Sequence, residues 1–268
     1  MARPVAPGGR PREAGAPAAG ARRLAVVGHR GDPYRVRENT LASLRSAFAH
    51  GADAVETDVR LTRDGVPVLL HDDTTRRLWR VDRPLSALTL AELRAATGPE
   101  DGGVPTLAEA LAATEGRRVM LDLPGATEES VRAVTATVRE CGAADRAYYC
   151  SSASAMLLVR AADPAAEIAL TWTSLAPPRP VLLDALAPRW LNYRFGLLSR
   201  ALVDRVHGQG LLVSAWTADT RRTLRRLVAH GVDSVTTNRP DLAARVASAV
   251  RPPAASGGRP ARSGSPGA

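Results

Sequence analysis

Short apolar runs alternate with helix-forming stretches along nearly the whole chain, and this alternation constrains its fold more than any other feature. Strand candidates fall at 24–28, 54–59, 66–71, 118–123, 147–151, 167–172, 190–193, 211–216 and 234–237. Helix candidates fall at 40–50, 89–96, 107–115, 128–141, 153–161, 199–209, 221–230 and 240–250. Gly51, Gly142, Gly210 and Gly231 follow helical stretches, where a left-handed residue closes the last turn. Strands followed by helices predict parallel βαβ units. Eight of them in about 230 residues fit a closed α/β fold, the TIM (β/α)8 barrel. An open doubly wound sheet is the alternative, disfavoured because no glycine-rich dinucleotide loop follows the first strand.

Residues 78–105 interrupt the alternation after the second strand unit. They carry their own helical piece, 89–96, and read as an insertion over one rim of the barrel. The segments 1–22 and 252–268 are rich in Ala, Pro, Gly, Ser and Arg and read as disordered tails around a body of 23–251. Charge supports that division. All 36 basic residues are arginine, and the net charge is +9. Residues 1–23 contribute +4 and residues 251–268 contribute +3, leaving +2 on the body. A nearly neutral body with few aromatics argues against nucleic acid as a partner. No apolar run approaches the roughly 20 residues of a membrane span, so no stable membrane insertion is expected. The N-terminal segment lacks the apolar core of a secretory signal. Two cysteines, Cys141 and Cys150, make neither a disulfide framework nor a thiolate metal cluster, and a cytoplasmic setting is expected.

Barrel enzymes place their chemistry at the C-terminal ends of the strands. Polar residues recur there in this chain. Glu56 and Asp58 are two apart on one strand and share a face, with Val55, Thr57 and Val59 on the other. Asp122, flanked by Leu121 and Leu123, turns inward by the same parity. Two readings stand for these carboxylates: a site for a hard divalent cation, Mg²⁺ or Ca²⁺, or pairing with the many arginines. His29 and His71, two of five histidines, end apolar runs and suit proton transfer, or else merely cap loops. His50, His207 and His230 fall on or at the ends of helical stretches and are assigned to the surface. Thr40 or Asn39 is an N-cap for the first helix.

An ordered series of motifs then resembles the glycerophosphodiester phosphodiesterase family: Gly28-His29-Arg30-Gly31, Glu38-Asn39-Thr40-Leu41, Glu56-Thr57-Asp58, Thr62-Arg63-Asp64-Gly65, His71-Asp72, Val104-Pro105-Thr106-Leu107, Ala215-Trp216-Thr217 and Thr237-Asn238-Arg239-Pro240. The likeness spans roughly 24–250. It implies a metal-dependent TIM-barrel phosphodiesterase that hydrolyses a small-molecule glycerophosphodiester to glycerol 3-phosphate and an alcohol. It further implies that His29 and His71 carry acid–base catalysis, with His29 the favoured base and His71 the acid. By the same resemblance Glu56 and Asp58 bind the divalent cation, with Asp122 as third ligand, Arg30 contacts phosphate, Glu38 lies in the site, and 78–105 shapes the pocket. Trp216 offers a flat wall for the substrate, or simply packs in the core.

One departure matters. The fourth strand of the family reads Glu-x-Lys, and here it reads Asp122-Leu123-Pro124. Asp122 is one methylene shorter, about 1.5 Å less reach, and Pro124 supplies no cation. Arg194, near a later strand end, is the candidate to grip phosphate instead. A smaller departure, Arg37 before the Glu-Asn motif, adds a cation near the site. Two alternatives follow from the altered strand: a lysophospholipase D-like phosphodiesterase, and a catalytically weak barrel that binds phosphorylated ligands.

Overall fold

The computed structural model describes residues 23–98 and 102–249; both segments read as tails lie outside them. Nine strands form the sheet: β1 (Ala25–Gly28), β2 (Ala54–Leu61), β3 (Pro67–Leu69), β4 (Arg118–Asp122), β5 (Ala147–Ser151), β6 (Ile168–Trp172), β7 (Trp190–Arg194), β8 (Leu212–Trp216) and β9 (Ser234–Thr237). Eight pair in parallel in the order β1-β2-β4-β5-β6-β7-β8-β9, and β9 returns to β1, closing the barrel. The ninth, β3, is antiparallel to β2 and stands outside the ring.

Alternation of side chains decides what faces where. Val55, Val59, Val119, Leu121, Tyr149, Leu170, Leu191, Val213 and Val235 point outward into the main core beneath the helices. Val27, Ala54, Met120, Tyr148, Cys150 and Ala169 form a separate cluster on the opposite face, which is the barrel interior. The floor is closed by charge. Glu167 accepts from Arg118 Nη2 (2.7 Å), Trp190 Nε1 (2.8 Å) and Arg189 Nη1 (3.3 Å), and the Arg118 guanidinium lies 4.5 Å from the Tyr148 ring centroid.

The helices are α1 (Leu41–Ala49), α2 (Arg76–Trp79), α3 (Leu90–Thr97), α4 (Leu107–Ala113), α5 (Glu128–Glu140), α6 (Ala153–Ala162), α7 (Pro180–Leu186), α8 (Arg200–His207), α9 (Arg221–His230) and α10 (Pro240–Ala249). Hydroxyl side chains at Thr40, Thr89, Thr106, Thr127, Ser152, Ser199 and Thr220 each accept from a backbone N–H in the first turn, which fixes where those helices begin. The sequence pattern missed α2, a single turn, and α7. The latter sits in a proline-rich stretch and is tolerated because Pro180 occupies the first turn, where no N–H is needed.

The excursion from the barrel starts earlier than 78. β2 runs past the barrel mouth, turns, and returns as β3, so the apolar run before His71 is this antiparallel extra strand and not a barrel strand. The antiparallel return brings it back to the level of Asp58, whose carbonyl accepts from Leu70 N–H. Val68, Leu70, Leu85, Leu88, Leu93 and Val104 give this excursion a small core of its own.

Candidate active site

The mouth is built first by backbone. A Cβ on Gly28 would stand 2.5 Å from the Gly31 carbonyl oxygen, and one on Gly31 would collide with Ser43, so the β1–α1 loop folds back tightly only with glycine at both places. That fold holds Arg30 at φ +53 and Asn39 at φ +54. The Arg30 N–H then donates to Glu56 Oε2 (2.9 Å), while its guanidinium donates to Glu38 Oε1 (2.8 Å) and sets Nε 3.1 Å from Asp58 Oδ2. Asn39 is more than a cap alternative. Its amide donates to Asp58 Oδ2 (2.8 Å) and accepts from Thr57 Oγ1 (2.7 Å). Thr40 is the N-cap.

Glu56, Asp58 and Asp122 meet here, each offering an oxygen within 4.8 Å of the others. Register explains it: Asp58 lies opposite Asp122 on the paired strands. Among the described residues no arginine pairs with Glu56 or Asp122, and the one at Asp58 is shared with Glu38. Burial and the charges of Asp58 and Asp122 push the Glu56 carboxyl well up; burial and Asp58 push Asp122 up to about 6. Three crowded, buried oxygen donors with one shared cation fit a hard divalent ion better than arginine pairing. The residues present therefore suit the cation that the sequence implies.

The two histidines flank this cluster and are held differently. His29 Nδ1 lies 2.7 Å from Asn238 Oδ1, and its Nε2 is 4.0 Å from Glu56 Oε2. Burial and the Arg30 charge lower its pKa. His71 Nδ1 lies 2.7 Å from Asp72 Oδ1. Arg77, from α2 in the excursion, donates to both Asp72 and Glu38 and brings the Asp72 carboxyl down to about 2. Burial raises the Glu38 carboxyl, but hydrogen bonds from Arg77 and Arg30 outweigh it and leave it lowered.

A cavity of about 140 Å³ opens between His29, Glu56 and Asp122 on one side and Thr171, Asn192, Trp216 and Thr236 on the other. The neutral side carries three buried polar atoms without partners: Asn192 Oδ1, Thr236 Oγ1 and Trp216 Nε1.

The model of the glycerophosphoryl diester phosphodiesterase family matches residues 29–242. The chain belongs to this family. It is accordingly a phosphoric diester hydrolase. A glycerophosphodiester phosphodiesterase of Caldanaerobacter subterraneus is 27% identical over 234 residues, covering 81% of this chain and 94% of the relative. A probable glycerophosphodiester phosphodiesterase 2 of Mycobacterium tuberculosis is 28% identical over 239 residues, covering 81% and 88%. The structure of an Oleispira antarctica phosphodiesterase in complex with the product sn-glycerol-3-phosphate matches with a TM-score of 0.74 at 28% identity, over 83% of this chain and 96% of that one.

Within that family frame, His29, Arg30, Glu38, Glu56, Asp58, His71, Asp122 and Trp216 all gather at the mouth. Arg194 does not join them. It shares the inward face of Asn192 but ends exposed at the rim, outside the cavity lining. Another arginine stands closer to Pro124: Arg60, on the strand face of Glu56 and Asp58, donates through Nε to the His71 carbonyl (2.8 Å), and its Nη1 comes within 3.9 Å of where a Cβ on Gly125 would be. Arg37 is drawn away to lie over the Trp79 ring. Sequence reasoning passed over Asn39, Asp72, Arg77, Asp219 and Asn238 as site residues. Asp72, Asp219 and Asn238 follow strand ends and could have been found by that position; nothing local marks Arg77.

Proposed function

We propose that this chain hydrolyses glycerophosphodiesters to glycerol 3-phosphate and an alcohol, using a divalent cation on Glu56, Asp58 and Asp122 and proton transfer by His29 and His71. The observation that carries this reading is the carboxylate triad at one barrel mouth, Glu56 and Asp58 buried and Asp122 partly so, with His29 beside Glu56 and His71 close enough to act on Asp122. The three unpartnered polar atoms opposite support a polyol substrate, since glycerol hydroxyls would satisfy them. The product complex of the Oleispira antarctica relative supports glycerol 3-phosphate as the phosphorylated product. The polar side chains that the cavity presents, His29, Glu56, Asp122, Thr171, Asn192 and Thr236, support a free glycerophosphodiester over a lysophospholipid. Among the described residues no helix is long and apolar enough to cross a membrane. Free thiols at Cys141 and Cys150 fit a reducing cytoplasm.

When bound, the cation would neutralise charge on the phosphodiester and on the developing alkoxide. Arg30 and Arg60 add fixed positive charge around the phosphate, with Arg194 at the rim as a further contact. His29, its pKa lowered by burial and Arg30, takes the proton from the attacking oxygen. His71, with Nδ1 on the Asp72 carboxylate, delivers a proton to the leaving alkoxide. Release of glycerol 3-phosphate from glycerophosphocholine, glycerophosphoethanolamine and glycerophosphoglycerol, with Mg²⁺, with Ca²⁺ and with EDTA, tests the scheme. Turnover should require the cation, and His29→Ala and His71→Ala should each lower it on the order of 10² to 10⁴-fold. Full rate in EDTA removes the cation; both variants within a few-fold of the parent remove the histidines. No turnover by the folded protein leaves the phosphate-binding barrel as the better reading.

A further inference from the structure

We propose that Asp219, outside the cavity lining, is a positioning residue that fixes which ring nitrogen of His29 carries the proton, acting through the Asn238 amide. Asp219 lies just past β8. Its Oδ1 accepts from Asn238 N–H (2.8 Å) and Thr237 Oγ1–H (3.0 Å), and its Oδ2 accepts from Asn238 Nδ2 (2.7 Å). An ionised carboxylate has no proton to donate, so the Asn238 NH₂ group must face it. The amide oxygen of Asn238 is thereby turned to His29 Nδ1, 2.7 Å away. That oxygen only accepts, so Nδ1 must donate. In the neutral imidazole the single proton then sits on Nδ1, and Nε2 keeps its lone pair. Nε2 is the atom that faces Glu56 and the carboxylate cluster. Two accept-only oxygens in series, Asp219 Oδ2 and the Oδ1 of the Asn238 amide that it orients, thus force an unprotonated nitrogen into the site. His71 reaches the same orientation by a shorter route, with the Asp72 carboxylate directly on Nδ1.

This inference rests on the reading of His29 as the proton acceptor, and the test separates the two. Asp219→Asn keeps an oxygen for the Asn238 and Thr237 donors but offers NH₂ where the second carboxylate oxygen stood. The Asn238 amide then turns, presents its own NH₂ to His29, and moves the ring proton to Nε2. ¹⁵N spectra of the histidine-labelled full chain with Mg²⁺, at a pH where the ring is neutral, should show Nδ1–H in the parent and Nε2–H in Asp219→Asn. Glycerophosphodiester turnover should fall on the order of 10² to 10⁴-fold with little change in KM, as expected when a catalytic imidazole is held in the wrong tautomer. The exchange Asp219→Asn with Asn238→Asp restores an accept-only oxygen beside Nδ1; it should return Nδ1–H and bring turnover back to within about tenfold of the parent. An unchanged His29 tautomer in Asp219→Asn, or a double variant no better than the single one, overturns the relay. An inverted tautomer with unchanged turnover upholds the relay and overturns His29 as the proton acceptor.

Discussion

Strand β4 carries Arg118 at one end of the barrel and Asp122 at the other, on the same inward face and about 13 Å apart along the strand. The two ends treat charge in opposite ways. At the floor, Arg118 meets Glu167, which also receives Trp190 and Arg189, and the protein alone closes that end. At the mouth, Asp122 meets two more carboxylates, and the one guanidinium on Asp58 is shared with Glu38. Burying like charges costs stability, and the barrel bears that cost at the mouth, where the proposed cation and phosphodiester would complete the site. Paired charge marks architecture here, and unpaired charge marks function.

The largest effect should come from the mouth. Glu56→Gln keeps an oxygen for the Arg30 N–H but removes one ligand charge. If cation binding contributes several kcal/mol to the barrier, turnover should fall by at least about 10³-fold. The metal-free protein should melt no lower than the parent at pH 7, because a repelling carboxylate is gone. A variant that loses activity by unfolding would break the contrast between the two ends.

The pH dependence of the metal-free protein is the next largest effect. The Asp122 carboxyl rises from 3.8 to about 6 in the folded state, with burial the main cause. Between those values the folded protein holds a proton that the unfolded chain has released, so raising pH favours unfolding. The contribution of Asp122 to stability should be full below about pH 4 and decline by about 3 kcal/mol by pH 6 to 7. Glu56 shifts in the same direction. Adding Mg²⁺ or Ca²⁺ at pH 7 should restore what was lost, and Asp122→Asn should flatten the slope. Urea titrations of the metal-free parent that show stability level or rising from pH 4 to 7 would count against a repelling cluster. Asp72 does not confuse this window, since its stabilising charge, held by Arg77, is lost only as pH falls toward about 2.

Much of this is legible in the sequence. The inward parity of Glu56, Asp58 and Asp122 follows from alternation alone, and β5, β9 and α9 fall where the pattern places them. What escaped depended on pairing between distant segments. β3 carries the same apolar signature as a barrel strand, because direction is not written in hydrophobicity, and only its partner shows it to be antiparallel. Arg60 escaped for a similar reason. The sequence pattern offers Arg194, at a later strand end, as the cation to offset Pro124, whereas the register of β2 against β4 brings Arg60 to that place. In the sequence Asn39 is one of two capping candidates, beside Thr40. Its role on Asp58 needs the left-handed backbone that the Gly28–Gly31 loop imposes.

The smallest expected effect tests the floor. Glu167→Gln leaves Arg118 and Arg189 without their counter-charge, while the amide oxygen can still accept from one of the three donors. Both arginines are partly exposed, so water replaces part of what is lost. The cost should be about 1–2 kcal/mol, a fall of roughly 3–6 °C in Tm for a chain of this size. Turnover should change less than about twofold, because neither Glu167 nor its partners line the cavity. Calorimetry and the glycerol 3-phosphate assay on one preparation decide the matter. Loss of stability without loss of rate is the mirror image of Glu56→Gln and holds the two ends apart. A matched loss of both would mean that closing the floor also sets the mouth's geometry, with β4 as the rigid link between them.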